Sequence, residues 1–245
     1  MHQEAHANLA ALRTNPYPGR GIVVGLDETG QYLVQVNWIM GRSENSRNQV
    51  FIESGGKVST VAADQSKAKD PNQIFYYNAM DEWFHSTFIV SNGIQTDTVL
   101  RKMENGHSFM DAMYEFSYEL DEPNYTPRIT GAWSIDLGGF YVADLAILRK
   151  SESSDGCDRF HFQYESIPRG YGYCLTTYSG DSNPLPAFQG EPFLICIPPY
   201  TIESMAYYYW EYLNVDNRVS LAVKYINRDT GQSKTFLINR YKQVK

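Results

Sequence analysis

Tyr118-Glu119-Leu120-Asp121-Glu122-Pro123-Asn124-Tyr125-Thr126-Pro127-Arg128 divides the chain. Before it, Phe109, Ala112, Met113, Phe116 and Leu120 recur at helical spacing, and Ser108 with Asp111 makes a capping-box-like start. After it the pattern turns mostly to strands. The stretch itself holds three carboxylates, two tyrosines and an arginine. Pro123 and Pro127 stop the helix, because proline lacks an N–H and restrains the residue before it. Arg128 opens an apolar run, Ile129 to Ile135, that reads as a strand. The spacing therefore predicts a helix up to Leu120, a rigid polar connection, then a strand. Glu119 falls on the flank of the last helical turn, where the negative helix end raises a carboxylate's proton affinity and suits acid/base work. A solvated helix end followed by a tight turn carries the same sequence features.

Working back towards the N-terminus, residues 1–18 read as a short helix and a proline-rich approach to a hairpin. Ile22 to Leu26 and Tyr32 to Trp38 are its strands, joined by Asp27-Glu28-Thr29-Gly30. Glycines flank Arg20 and would let the backbone come close to a bound group. Gly41 to Asn48, with Arg42, Ser43 and Arg47, reads as a polar loop at a strand end, a common place for binding residues. Val50 to Ile52 and Lys57 to Ala62 read as a strand pair. After Asp70-Pro71-Asn72, Phe75, Ala79 and Trp83 keep helical spacing, which predicts a short helix with Tyr76 and Tyr77 on different faces. Thr87 to Val90 is a strand. Ser91-Asn92-Gly93 then leads through Thr96 and Asp97 into a helix ending at Asn105-Gly106. Such a helix start presents backbone N–H groups to an anion or polar ligand, though ordinary capping looks the same.

Beyond Arg128, Ile129–Ile135 and Gly139–Leu148 form a hairpin around Asp136-Leu137-Gly138, and Phe160 to Tyr164 alternates as a strand. Gly170 to Tyr173 and Ser179 to Pro186 read as irregular. Phe193 to Ile197 is apolar, and Ile202 to Leu213 is a tyrosine-rich helix. Its Tyr207-Tyr208-Tyr209-Trp210 run fits a core or a subunit interface, so a homo-oligomer stays open. Arg218–Asn227 and Ser233–Asn239 close the chain as a hairpin. No repeat or low-complexity linker marks a boundary, so residues 1–245 are expected to form a single α+β domain of two sheets covered by helices.

The net charge of −7 argues against gripping nucleic acid, which needs a basic footprint, but not against a small anion met by a few arginines. No apolar run reaches the roughly 20 residues of a spanning helix, and Met1 to Thr14 lacks a signal-peptide core, so no membrane association and a cytoplasmic location are expected. Three scattered cysteines and five histidines offer neither a disulfide framework nor a metal site. Dinucleotide-binding, P-loop and nucleophile-elbow motifs are missing. With 19 tyrosines and 12 phenylalanines, a pocket lined by rings and hydroxyls is expected. Arg, Tyr and Glu residues at strand and helix ends suit binding a small phosphorylated ligand and moving protons.

At Gly19-Arg20, Arg42-Ser43 with Arg47, Tyr77-Asn78, Ser91-Asn92-Gly93 with Thr96-Asp97-Thr98, and Tyr118-Glu119 through Thr126-Pro127-Arg128, the sequence resembles the archaeal-type IMP cyclohydrolase family. The resemblance is clearest over 19–135 and loose after about 150. It implies a four-layer α-β-β-α sandwich similar to N-terminal-nucleophile hydrolases, here without the nucleophile, since His2 follows Met1.

The implied reaction is ring closure of 5-formamidoimidazole-4-carboxamide ribonucleotide to IMP with loss of water, in purine biosynthesis. It requires no metal, nucleotide cofactor or covalent intermediate, and its partner is a purine ribonucleotide. The resemblance implies Glu119 as general base or proton shuttle, Tyr77 (or Tyr76) as donor to the departing oxygen, and Arg47 as its electrostatic stabiliser. Arg20, Arg42 and Arg128 are candidates for the phosphate or base, and Ser43, Asn78, Ser91, Asn92, Gly93, Thr96 and Asp97 for the nucleotide pocket. A non-catalytic ribonucleotide-binding protein, or a related amide or cyclic-amidine hydrolase, is the alternative.

Overall fold

Asp27 builds the first turn largely by itself. Its Oδ1 accepts from Tyr32 N–H at 2.8 Å, its Oδ2 from the Thr29 hydroxyl, and its carbonyl from Gly30 N–H. The turn reverses β1 (Gly21–Leu26) into β2 (Tyr32–Met40). A computed structural model describes residues 1–68, 75–136 and 138–243. Helix α1 (His2–Thr14) precedes this hairpin. Then come α2 (Glu44–Arg47), β3 (Gln49–Ser54), β4 (Lys57–Ala62), β5 (Asn78–Trp83), β6 (Thr87–Ser91), α3 (Gln95–Glu104) and α4 (Phe109–Met113). The remainder is β7 (Arg128–Ile135), β8 (Tyr141–Lys150), β9 (Cys157–Tyr164), β10 (Tyr171–Thr176), β11 (Phe193–Cys196), α5 (Ile202–Tyr212), β12 (Arg218–Asn227) and β13 (Ser233–Asn239).

These elements make an α+β protein with two antiparallel sheets. One has six strands in the order β11-β10-β1-β2-β12-β13, the other seven, running β3 to β9 in sequence order. Side chains alternate across a strand. Ile22, Val24, Leu26 and Leu33 therefore pack with Phe88, Val90, Trp133 and Leu145 between the sheets. Val23, Val34, Val36 and Trp38 face the other way, onto Leu9 and Leu12 of α1 and Met205, Ala206 and Tyr209 of α5. Coverage on both faces explains the unbroken apolar run of β1. On the second sheet Ile89, Ala132 and Ala146 face Val99 and Leu100 of α3 and Phe109, Ala112 and Met113 of α4. Polar side chains also join the sheets. Gln35 donates to Phe88 O and Asn37 to Ser91 O, while buried Lys224 of β12 donates to Gly56 O and to Glu82 of β5 at 2.6 Å. Among the described residues no helix is long and apolar enough to cross a membrane.

Four local expectations are corrected. In place of the predicted helix at 75–83 the chain forms strand β5 from Asn78 onward, paired with β4 and β6. Positions four apart lie on one face of a helix and on one face of a strand alike, and the sheet neighbours decide between them. Residues 70–74 of that prediction, and Leu137 of the β7–β8 turn, lie outside the described residues. The helix begun at Ser108 is capped as expected, with Ser108 Oγ accepting from Asp111 N–H, but it ends at Met113. Leu120 is 78% exposed rather than buried, and Glu119 N–H bonds Thr126 O instead of a helical carbonyl. Glu119 is thus on an irregular segment, and the expected influence of a helix end on it is withdrawn. Gly170 to Tyr173 is not irregular, since β10 begins at Tyr171 and pairs with β1 through Gly25↔Gly172. Finally, the polar loop at 41–48 contains α2, nucleated by a reciprocal Ser43–Ser46 capping box.

Candidate active site

The segment after α4 folds back on itself around Asp121. Its carbonyl accepts from the N–H groups of Asn124 and Tyr125, and its carboxylate from both the N–H and the hydroxyl of Thr126. This turn sets Glu119 deep in the protein, 1% exposed, where two arginines meet it. Arg20 Nη1 lies 3.8 Å from Glu119 Oε2, and Arg128 Nη1 lies 3.5 Å from Glu119 Oε1. A buried carboxylate is tolerable only with such company. Arg128 comes from the start of β7 and is held by Gln95 Oε1 at 3.1 Å. Arg20 comes from the approach to β1, where its N–H bonds Thr177 Oγ1 and its carbonyl accepts from Thr177 N–H.

Tyr77 completes the group. Its ring centroid is 5.8 Å from the Arg20 guanidinium carbon, and Phe75 lies at 6.0 Å from the same carbon. Burial pushes the Tyr77 phenol up to about 12, against the lowering effect of Arg20, so it is a neutral donor at physiological pH. Its hydroxyl has no hydrogen-bond partner among the described residues, and neither has Arg20 Nε. Burial opposes the charge of Arg20, but Tyr77, Glu119, Tyr17 and Tyr178 outweigh it and hold the guanidinium firmly protonated. Arg128 is shifted down by burial, partly offset by Glu119.

Arg20 opens on a cavity of about 220 Å³ whose lining includes Tyr17, Arg42, Ser43, Phe75, Thr126 and Tyr178. Arg42 pairs with Asp181 and covers the Tyr17 ring at 4.8 Å. Of the residues singled out from sequence, Arg20, Tyr77, Gly93, Glu119 and Arg128 come together, with Arg42 and Ser43 along the cavity. Arg47 is held elsewhere, donating to Gly41 O and to Asn217 Oδ1. The cations beside Glu119 are Arg20 and Arg128, and Arg20 is the one that also flanks the Tyr77 ring. Ser91, Asn92 and Thr96 are fully buried beneath the site. Ser91 bonds Thr96, and Asn92 bonds Pro127 O, Ile129 N–H and Gln95, which holds Arg128. Asn78 and Asp97 bond each other at 2.7 Å. The first residue of α3 is preceded by Ile94 with no side-chain cap, so Thr96 and Asp97 do not cap it.

The glycines around Arg20 make room for protein rather than ligand. A side chain on Gly19 would start 2.4 Å from the Tyr178 ring, and one on Gly21 would start 1.9 Å from the Trp38 ring. Sequence reading passed over Tyr17, Thr126 and Tyr178 as site residues; Gly19, whose φ of 73° and missing side chain admit the Tyr178 ring, was the one local signal for the last.

A family model described as IMP cyclohydrolase-like protein matches residues 17–231, reaching well past the region around 150 where the motifs thin out. No curated protein matches the chain.

Proposed function

The chain belongs to the IMP cyclohydrolase-like protein family, and from that premise we propose that it closes 5-formamidoimidazole-4-carboxamide ribonucleotide to IMP with loss of water, a step of purine biosynthesis in the cytoplasm. We read the two sheets and their outer helices as the four-layer α-β-β-α sandwich of N-terminal-nucleophile hydrolases, formed by the chain as one domain. The observation that carries the functional reading is the buried Glu119, set between Arg20 and Arg128 with the neutral Tyr77 phenol behind Arg20.

The reacting groups are already tethered in one molecule, so holding a near-attack geometry supplies much of the catalysis. Glu119 takes a proton from the carboxamide nitrogen as that nitrogen attacks the formyl carbon. Negative charge then builds on the formyl oxygen, where Arg20 stabilises it and Tyr77 donates. Tyr77 protonates that oxygen to a hydroxyl, and the nitrogen proton held by Glu119 restores the phenol. The hydroxyl then leaves as water with a second proton from Tyr77, while the formamido nitrogen gives its own proton to Glu119 as the ring C=N bond forms, and that proton again restores the phenol. Arg128 steadies Glu119. Asn92 acts from beneath by fixing Gln95, Ser91 and Thr96 by bonding each other and the Gly93 carbonyl, and Gly93 leaves the space in which the Arg128 and Glu119 side chains meet. Arg42 and Ser43, which line the cavity, are assigned to the phosphate; Arg47, Asn78 and Asp97 are outside the cavity lining and are assigned supporting roles in nucleotide binding.

Mixing the purified protein with the formamido ribonucleotide should give IMP, read by ultraviolet absorbance, and folded Glu119→Gln should not. Tight binding by the unaltered protein without conversion would overturn the catalytic reading in favour of a binding protein.

A further inference from the structure

Three residues that line the cavity and take no part in the scheme above form one hydrogen-bonded chain. Thr126 donates its hydroxyl proton to Asp121 Oδ2 at 2.5 Å and its backbone N–H to Asp121 Oδ1 at 2.6 Å. The Tyr178 hydroxyl lies 2.5 Å from the same Thr126 Oγ1. A threonine hydroxyl has a single proton. Since Asp121 takes it, the contact with Tyr178 runs the other way, with Tyr178 O–H donating and Thr126 Oγ1 accepting. Burial holds the Tyr178 phenol protonated well above its ordinary range. Its one proton is therefore committed to Thr126, and what remains for a ligand is lone pairs.

The ring cannot easily turn to escape this. It stacks on Tyr17 with centroids 6.0 Å apart and planes 22° apart, and its backbone N–H is fixed by Pro18 O. Tyr178, Thr126 and Asp121 line the same cavity as Arg20 and Arg42. Guanidinium groups only donate. The cavity thus pairs donor-only cations with a phenol whose orientation leaves it acceptor-only.

We propose that Tyr178 is a specificity-determining residue that accepts a hydrogen bond from a donor on the bound ribonucleotide, with Thr126 and Asp121 as positioning residues that set its polarity. This rests on the ribonucleotide reading above. On IMP the donors available are the two ribose hydroxyls and the ring N–H, the last descending from the carboxamide nitrogen of the substrate. A ligand lacking the matched donor leaves a buried acceptor unpaired, and sites built this way reject such analogues.

The test is calorimetric titration of the full chain with IMP, its 2′-deoxy and 3′-deoxy counterparts, and purine riboside monophosphate, which lacks the ring N–H. The unaltered protein should bind one of the three analogues about tenfold more weakly than IMP. Tyr178→Phe should bind IMP about tenfold more weakly and no longer distinguish it from that analogue. Thr126→Val, which keeps the volume and frees the Tyr178 proton, should shrink the discrimination, and Thr126→Ser should preserve it. Should Tyr178→Phe not fold, the valine–serine comparison decides alone. Discrimination unchanged in Tyr178→Phe or in Thr126→Val overturns the proposal while leaving ribonucleotide binding intact. No binding of any of these nucleotides by the unaltered protein overturns the ribonucleotide reading, and the role of Tyr178 with it.

Discussion

Arg128 Nη1 stands 3.5 Å from Glu119 Oε1, inside the space that Gly93 leaves open. A side chain on Gly93 would start 2.5 Å from that nitrogen, 2.7 Å from Gln95 Oε1 and 3.3 Å from Glu119 Oε1. All three are ends of flexible side chains, so Gly93→Ala is expected to fold with a melting temperature within a few degrees of the parent. Its turnover should fall about 10²-fold, because a displacement of about 1 Å at the reacting groups has that effect. Full activity in a folded Gly93→Ala protein would show that the Arg128–Glu119 geometry is not used.

Glu119→Gln removes the proposed base and the countercharge of two buried arginines together. Turnover should drop about 10²–10⁴-fold. Breaking a buried ion pair from one side costs about 3–5 kcal/mol, so urea denaturation should show a lower midpoint even where the variant remains folded at ambient temperature.

Tyr77→Phe separates chemistry from stability. The ring stays beside Arg20, and the lost hydroxyl has no partner among the described residues, so stability at pH 7 should change little. Turnover should fall about 10²-fold. The raised phenol pKa also has a thermodynamic consequence. The folded protein holds this proton up to about pH 12 and an ordinary tyrosine only to 10.0, so its stabilising effect is complete below pH 10 and is lost as pH rises towards 12. The parent should therefore lose roughly 2 kcal/mol more than Tyr77→Phe across that window, as read by denaturation at a series of pH values.

Arg20→Ala and Arg47→Ala order the two cations. Arg20 touches Glu119 and flanks the Tyr77 ring, whereas Arg47 is tied to Gly41 and Asn217. Loss of Arg20 should reduce the maximal rate about 10²–10³-fold, and loss of Arg47 should chiefly raise KM. The reverse order would return the oxyanion role to Arg47.

Much of the sheet framework was legible because its signals are local. The Asp27–Gly30 turn and the strands on either side follow from turn chemistry and a buried apolar run, and the closing hairpin over Arg218–Asn239 likewise. Phe75, Ala79 and Trp83 misled because their spacing satisfies two periodicities at once. The stripe from Phe109 misled because it is genuine for one turn, as far as Met113, after which the chain leaves to bury Glu119. Sequence motifs brought Arg20, Tyr77, Glu119 and Arg128 into view. Tyr178 stayed hidden because its partner Thr126 is 52 residues away, in a chain rich in tyrosine.

The pairing of β1 and β2 has a consequence for how the protein is made. Gly21 of β1 lies opposite Thr176 of β10, and Trp38 of β2 lies opposite Leu221 of β12. A chain leaving the ribosome therefore carries this apolar hairpin with the β1 edge unsatisfied until β10 has been synthesised and the β2 edge until β12 has followed. Contacts of such long sequence separation form slowly, and open strand edges invite association between chains. Nascent molecules of this protein are thus most vulnerable midway through translation, when β1 and β2 are out and β10 and β12 are still to come, and a helper that shields that hairpin would improve the yield of soluble protein more than one acting on the finished chain.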